Sequence, residues 1–271
     1  MLDQYAVIGN PISHSQSPRI HALFAQQTGQ SVQYSALLAP LDSFPITVFD
    51  FINKGGRGAN VTLPFKLQAH QLATRLTERA SCAQAVNTLT FENNEIIGDN
   101  TDGIGLVNDI SRNLAVNLAS KRILLIGAGG ASRGVILPLL QQKPLLLTIT
   151  NRTFDKAEAL QQQFQSYGNI HARSLDHFID QSFDVVINAT SASLQNTFPD
   201  IPVNVFAVDA LAYDMMYSKE PTAFLKFAQQ SGVNHLSDGI GMLVEQAAES
   251  FYIWRNVRPE TKPVIALLKS Q

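Results

Sequence analysis

The sequence predicts an α/β protein of two domains, and three observations carry that prediction. Short apolar, β-prone runs alternate with helix-like stretches along most of the chain. A glycine-rich turn, Gly127-Ala128-Gly129-Gly130-Ala131, follows the apolar run 122–126 and precedes a helix-like stretch over 132–140. That turn sits mid-chain, so more than a hundred residues precede it, enough for a separate domain. Strand, glycines and helix in that order suit a dinucleotide pyrophosphate. Bare backbone can approach the phosphates, and the helix N-terminus supplies N–H donors and a positive field.

The elements before the turn follow from local chemistry. Residues 5–8 read as a buried strand that stops at Gly9-Asn10-Pro11. Residues 18–27 read as a helix, with Ser17 able to cap it and Pro18 at the first helical position. A second strand is expected over 32–38, a helix over 41–53 and a loop over 54–58. Residues 59–62 are strand-like, and Pro64-Phe65-Lys66 opens the next helix, with 71–83 also helical. Residues 86–91 and 95–98 form a hairpin around Asn93-Asn94. A helix over 101–113 leads out of this part. After the glycine turn, strands are expected over 145–150, 170–172, 184–188, 205–209 and near His235. A long helix over about 240–254 closes the series.

The strand over 145–150 ends in Asn151-Arg152-Thr153. An NAD site places an acid at this strand end, to accept from the ribose 2′-hydroxyl. Here the acid is absent and an arginine stands in its place. A guanidinium pairs with a 2′-phosphate and stacks on adenine, so NADP is expected over NAD, although Arg152 also suits a solvated helix start. Lys156 adds to the basic site, while Asp155 and Glu158 come too late for the ribose contact.

Composition limits the remaining classes. The 271 residues are 45% hydrophobic and 15% charged, with a net charge of −2, which argues against nucleic acid as a partner. The single cysteine, Cys82, excludes an internal disulfide and suits a small buried apolar role. No run approaches a membrane span, and the N-terminus lacks a basic leader, so a cytoplasmic protein is expected. No metal set is evident, since the histidines lack metal spacing and Cys82 has no partner cysteine.

Three loop segments are richer in polar residues than folding requires. In residues 10–18, Ser15 and Ser17 place two hydroxyls before a helix, fit to meet a polyol or carboxylate. In residues 60–66, Lys66 falls just inside a helix start, where the helix field disfavours a cation. That suits a lysine that moves a proton, although a surface lysine fits too. In residues 98–103, Asp102 can orient a lysine and bond a hydroxyl, while Asn100, Thr101 and Asp102 also suit helix capping.

These segments together closely resemble the shikimate dehydrogenase family. The resemblance rests on residues 9–18, 58–66, 85–89, 98–103, 127–131, 151–153, 188–191, 213–217 and 238–243, then Gln246-Ala247-Ala248 and Trp254. It runs along nearly the whole chain in the family's order. It implies two α/β domains around a cleft: an N-terminal substrate domain and a Rossmann-type NADP-binding domain. The last helix would return to the first domain, giving 1–102 completed by 240–271, and 103–239 for the cofactor. The implied reaction is the reversible NADPH-dependent reduction of 3-dehydroshikimate to shikimate, with Lys66 as general acid/base and Asp102 its partner. Ser15, Ser17 and Tyr217 would hold the carboxylate. Thr62, Asn87, Asp102 and Gln246 would bind ring hydroxyls. Gly127, Ala128, Gly129, Gly130, Ala131 and Thr190 would line the cofactor. Asn151, Arg152, Thr153 and Lys156 would hold its 2′-phosphate end, and Met215 and Gly239 would lie by the nicotinamide. A monomer or homodimer is expected, with no membrane partner.

Two positions depart from the family pattern. Ser193 and Asn256 each stand where glycine is common. Asn256 follows Trp254-Arg255 near a helix end, and asparagine tolerates the left-handed backbone such an end needs. Competing readings are a relative that also oxidises quinate, a non-catalytic NADP-binding sensor, and a methylene-tetrahydrofolate dehydrogenase. The paired serines and the 99–102 segment do not suggest a pterin site. A short-chain dehydrogenase is disfavoured because no Tyr-x-x-x-Lys occurs.

Overall fold

Alternating apolar residues and short turns fold the chain into two sheets, each flanked by helices, in a computed structural model. It describes residues 2–175, 181–190, 192, 197 and 200–270, so Ser193 lies outside the described residues. The chain divides into two compact units, Met1–Gly105 with Leu243–Ser270, and Leu106–Met242.

The first unit holds β1 (Asp3–Gly9), α1 (Ser17–Thr28), β2 (Val32–Leu38), α2 (Phe44–Asn53), β3 (Gly56–Val61) and α3 (Lys66–Leu72). It continues with β4 (Arg75–Leu76), α4 (Glu78–Ala83), β5 (Thr88–Glu92), β6 (Glu95–Asp99) and the start of α5 (Asp102–Asn108). Its sheet runs β2-β1-β3-β5-β6-β4. β1 pairs in parallel with β2 and β3, while β5 pairs antiparallel with β3 and β6. Because side chains alternate along a strand, Ala6 and Ile8 of β1 face one core with Phe44, Val48, Phe51 and Phe65. Tyr5, on the other face, stacks on Trp254 at 4.6 Å.

The second unit opens with the end of α5 and a π-helical turn, Asp109–Asn113. It contains β7 (Arg122–Ile126), α6 (Gly130–Gln141), β8 (Leu146–Thr150), α7 (Phe154–Phe164), β9 (Ile170–Arg173) and β10 (Phe183–Asn188). β11 (Phe206–Asp214), α8 (Ala223–Gln230) and β12 (His235–Ser237) complete it. The sheet is wholly parallel in the order β9-β8-β7-β10-β11-β12. That is the doubly wound dinucleotide-binding order, with its switch point between β7 and β10. The chain returns through α9 (Ile240–Arg255) to the first unit, which α10 (Lys262–Lys269) ends.

Four local expectations change. The helix expected over 71–83 is interrupted, because Arg75–Leu76 pairs with β6 and the Thr77 hydroxyl then caps α4 by accepting from Ala80 N–H. The strand expected over 205–209 runs on to Asp214 past an irregular register, with Asp209 at φ 59°. Ser17 is the first residue of α1 and does not cap it; instead the Ser15 hydroxyl accepts from Ser17 N–H at 3.3 Å. Cys82 is half-buried on α4. Asn256 does take a left-handed backbone, φ 52°. The hairpin turn uses Asn93 and Asn94, both at positive φ, as a tight two-residue loop requires.

An ion-pair cluster fastens α9 to the first unit. Arg79 of α4 donates from Nε and Nη2 to the two oxygens of Asp99, at 2.6 and 2.8 Å, and reaches Glu249 on α9 at 3.2 Å. Arg258 holds the other Glu249 oxygen at 2.6 Å. Burial alone would raise the Asp99 carboxyl, but Arg79, Thr77 and the Asn100 N–H outweigh it and hold it below its usual range. Arg79→Met leaves the shielded Asp99 carboxylate without its cation and Glu249 with Arg258 alone. The expected cost is about 2–4 kcal/mol, read as a lower urea midpoint with unchanged slope; an unchanged midpoint refutes it.

Candidate functional site

The first unit brings its polar segments to one end of the sheet. Hydrogen bonds set the loops there: Asn10 N–H donates to Leu63 O, Thr62 N–H to Ile8 O, and Asn87 N–H to Asp99 O. Lys66 begins α3, and its Nζ lies 2.5 Å from Asp102 Oδ2. Asp102 begins α5 and is buried. Its other oxygen, Oδ1, accepts from Asn87 Nδ2 at 2.8 Å. Gln246, on α9, turns its Oε1 to Asn87 Nδ2 at 3.3 Å. Lys66, Asn87, Asp102 and Gln246 therefore form one connected group.

The serines and Thr62 lie at neighbouring strand ends. Ser17 is buried and its side chain bonds the Tyr34 hydroxyl. That hydroxyl also donates to Asn60 Oδ1 at 2.7 Å, and burial keeps it neutral by raising its pKa well above the ordinary tyrosine value. Gly9 makes room for Thr62: a Cβ at Gly9 would lie 2.4 Å from Thr62 Cγ2. Tyr217, Met215 and Gly239 belong to the second unit.

Sequence reading did not single out Tyr34, Asn60, Thr88, Thr101 or Ser250 as part of this group. Asn60 donates to Asn87 O, Thr88 Oγ1 and Ser250 Oγ at 3.0–3.1 Å. Their signal was faint: polar side chains at strand ends, and Ser250 four residues beyond Gln246 on the same helix face.

His21 lies against this cluster. It is buried, stacked on Tyr34 at 4.1 Å, and neither ring nitrogen has a partner at hydrogen-bond geometry among the described residues. Burial lowers its pKa to about 3, and the nearby Asn60 amide offsets that only in part. Unfolded histidine binds a proton below about 6.5, whereas folded His21 stays neutral down to about 3. Between those values the unfolded chain holds more protons, so stability falls as pH falls, by ~1.4 kcal/mol per unit. We expect His21→Phe to flatten the acid side of a thermal-midpoint profile. An identical slope in the variant refutes it.

The second unit has the features a dinucleotide needs. Gly127 has φ +113°, a conformation side chains rarely adopt, and a Cβ there would meet Thr190 at 3.1 Å. At Gly129 and Gly130 a Cβ would meet nothing within 4 Å, so these glycines leave open surface before α6. Such bare backbone at a helix N-terminus suits a pyrophosphate. Asn151 Oδ1 accepts from Ala128 N–H at 3.2 Å and its Nδ2 donates to Thr153 O at 2.8 Å, tying the turn to the end of β8. Arg152, Thr153 and Lys156 are exposed beside it, and neither cation is in an ion pair among the described residues. Buried Asp214 accepts from Asn188 Nδ2, Met216 N–H and Thr222 Oγ1, which fixes the loops carrying Thr190 and Met215. Gly239 packs so closely on Met215 that a Cβ would lie 2.2 Å from its carbonyl oxygen.

Fold and site together define a class: α/β proteins with a dinucleotide-type sheet in one unit and a lysine–carboxylate pair in a polar cluster of the other. Family models match three successive stretches: the shikimate dehydrogenase substrate binding domain over 7–89, shikimate / quinate 5-dehydrogenase over 109–197, and the shikimate 5′-dehydrogenase C-terminal domain over 239–269. The chain belongs to the shikimate dehydrogenase family. The shikimate dehydrogenase (NADP(+)) of Nitrosospira multiformis is 60% identical over 270 residues, which span 100% of this chain and 98% of that protein. An Ael1 enzyme from Pseudomonas putida superposes with a TM-score of 0.95 at 49% identity, over 98% of both chains. Shikimate 5-dehydrogenase from Thermus thermophilus, solved in complex with NADP(H) and shikimate, gives a TM-score of 0.88 at 29% identity, over 100% of this chain and 99% of that one. Among the described residues, no helix is long and apolar enough to cross a membrane.

Proposed function

We propose that this protein is an NADP-dependent shikimate dehydrogenase that interconverts 3-dehydroshikimate and shikimate. The observation that carries the reading is the Lys66–Asp102 pair at 2.5 Å, with Asn87 and Gln246 beside it. NADPH, when bound, supplies hydride to the ketone carbon. As charge develops on the ketone oxygen, Lys66 Nζ gives it a proton, and in the reverse direction Lys66 takes that proton back. Asp102 Oδ2 holds the ammonium in place, while Asn87 occupies Oδ1. Each carboxylate oxygen keeps a further lone pair for a ring hydroxyl. Asn87, Gln246 and Thr62 orient the other hydroxyls, and Ser15, Ser17 and Tyr217 take the carboxylate. Burial and the nearby Asp238 raise the Tyr217 pKa, which keeps it a neutral donor.

Gly127, Ala128, Gly129, Gly130, Ala131 and Thr190 receive the pyrophosphate side of the cofactor. Asn151, Arg152, Thr153 and Lys156 take its 2′-phosphate end, and Asn151 also ties the turn to the end of β8. Met215 and Gly239 flank the nicotinamide. In our reading residues 1–102 with 240–271 handle the substrate, and 103–239 the cofactor. The enzyme works in the cytoplasm, where NADPH is available, as a monomer or homodimer; cell fractionation and light scattering test both points. The decisive assay is NADP+ reduction with shikimate, with quinate as control. No absorbance change with shikimate overturns the reading, and equal rates with quinate widen it to both polyols.

A further inference from the structure

Ser250 is fully buried on α9, one turn beyond Gln246. Four groups lie within hydrogen-bond range of its Oγ: Thr88 Oγ1 at 2.8 Å, Asn60 Nδ2 at 3.0 Å, the Gln246 carbonyl at 3.1 Å and Thr101 Oγ1 at 3.2 Å. Thr88 and Thr101 are themselves buried. We propose that Ser250, acting through Thr88 and Thr101, is a positioning residue for substrate recognition that locks the side-chain amides of Asn87 and Gln246. The inference rests on the reading that these two amides bind ring hydroxyls.

Donor–acceptor logic fixes the direction of this network. The Asn87 carbonyl can only accept, so the Asn60 group donating to it at 3.1 Å is the NH2, and Asn60 Oδ1 faces Tyr34. The second Asn60 hydrogen then points to the Thr88 and Ser250 hydroxyls. Thr101 N–H can only donate, so its 2.8 Å bond places Asn87 Oδ1 on that side. The Thr88 hydroxyl donates to the same oxygen at 2.9 Å. Asn87 Nδ2 is thereby turned toward Asp102 Oδ1, Thr101 Oγ1 and Gln246 Oε1. A flipped Asn87 amide would put oxygen against the Asp102 carboxylate and lose every one of these donors. The Ser250 hydroxyl also reaches the Gln246 backbone carbonyl, which joins helix position to the same lock.

Without the Ser250 hydroxyl, Asn60 keeps Asn87 O and Thr88 Oγ1, and Thr101 keeps Asn87 and Gln246. What is lost is the fixed partner that orients the Thr88 and Thr101 hydroxyls, and with it the hold those hydroxyls have on the Asn87 and Gln246 amides. Ser250→Ala is expected to raise the KM for shikimate about five- to fiftyfold, with KM for NADP+ unchanged and kcat the lesser effect. Thr88→Val, which keeps shape and removes the hydroxyl, should do the same, and Thr88→Ser should restore the KM. A packing role alone would lower the melting temperature and the active fraction without a selective rise in shikimate KM. Wild-type KM in both Ser250→Ala and Thr88→Val overturns the proposal, as does a Thr88→Ser variant no better than Thr88→Val. If Ser250→Ala does not fold, the two Thr88 variants decide alone. A wild-type enzyme that fails to oxidise shikimate sinks the functional reading itself, a result that these variants cannot mimic.

Discussion

Replacing Lys66 with alanine is expected to lower turnover with shikimate by about a thousandfold, within the range that positioned acid–base groups supply. The variant should fold and bind shikimate, because Lys66 lies at the first residue of a seven-residue helix and is partly exposed. Its main partner is the Asp102 oxygen 2.5 Å away. Asp102 keeps its Asn87 bond when the lysine is gone, so the carboxylate stays oriented. The loss should fall on kcat and kcat/KM together, the signature of an interaction made in the transition state. A single-turnover assay with preloaded NADP+ separates chemistry from release, and shikimate binding by calorimetry reports the ground state. Near-normal turnover in Lys66→Ala would remove Lys66 from the mechanism.

The second unit was the more legible part of the fold. Its strands are short apolar runs separated by glycine turns and helices, and a sheet covered on both faces permits such runs. The glycine turn announces the switch point because it needs open backbone at Gly129 and Gly130 and a positive φ at Gly127. The first unit was harder. β4 has two residues, and nothing local in Thr74-Arg75-Leu76 distinguishes it from the helices on either side. Its pairing to Ile97 and Gly98 is a long-range fact. Nor was α10 expected, since it follows a proline-containing loop near the chain end.

The site divides along the same line. Lys66 drew attention because a cation at a helix start needs an explanation, and Asp102 because a carboxylate can orient such a lysine. Their distance, 36 positions apart in sequence and 2.5 Å in space, depends on the pairing of β3 with β5 and β5 with β6. Ser250 and Thr88 drew none. A buried serine in a helix and a threonine in a strand are ordinary until the hydroxyls they face are known. Asn151 shows the opposite case: it reads as a phosphate contact, and its amide also ties the turn to backbone at Ala128 and Thr153. One Nδ2 hydrogen stays for the proposed phosphate contact, while the positive charge there is that of Arg152 and Lys156.

That division leads to the largest effect expected on the cofactor. Arg152→Ala should weaken NADPH about tenfold to a hundredfold, the worth of charge-assisted hydrogen bonds to one ionised group, while NADH changes little. The guanidinium is exposed at the end of β8 and among the described residues has no ion pair to break, so its removal costs the fold little. Exposure also means screening, so the NADPH penalty should shrink as salt rises and the wild-type advantage is masked. Lys156, one turn along the start of α7, carries part of the same charge. Lys156→Ala should therefore give a smaller loss, and the double variant should approach the same affinity for both cofactors. Lysine at 152 should recover only part of the loss, because an ammonium offers a point charge where the guanidinium offers a planar fork. Equal weakening of NADPH and NADH by Arg152→Ala would mean that the residue does not read the 2′-phosphate. The discrimination would then have to come from the missing acid at the strand end alone, and placing Asp at position 151 or 152 would test that directly.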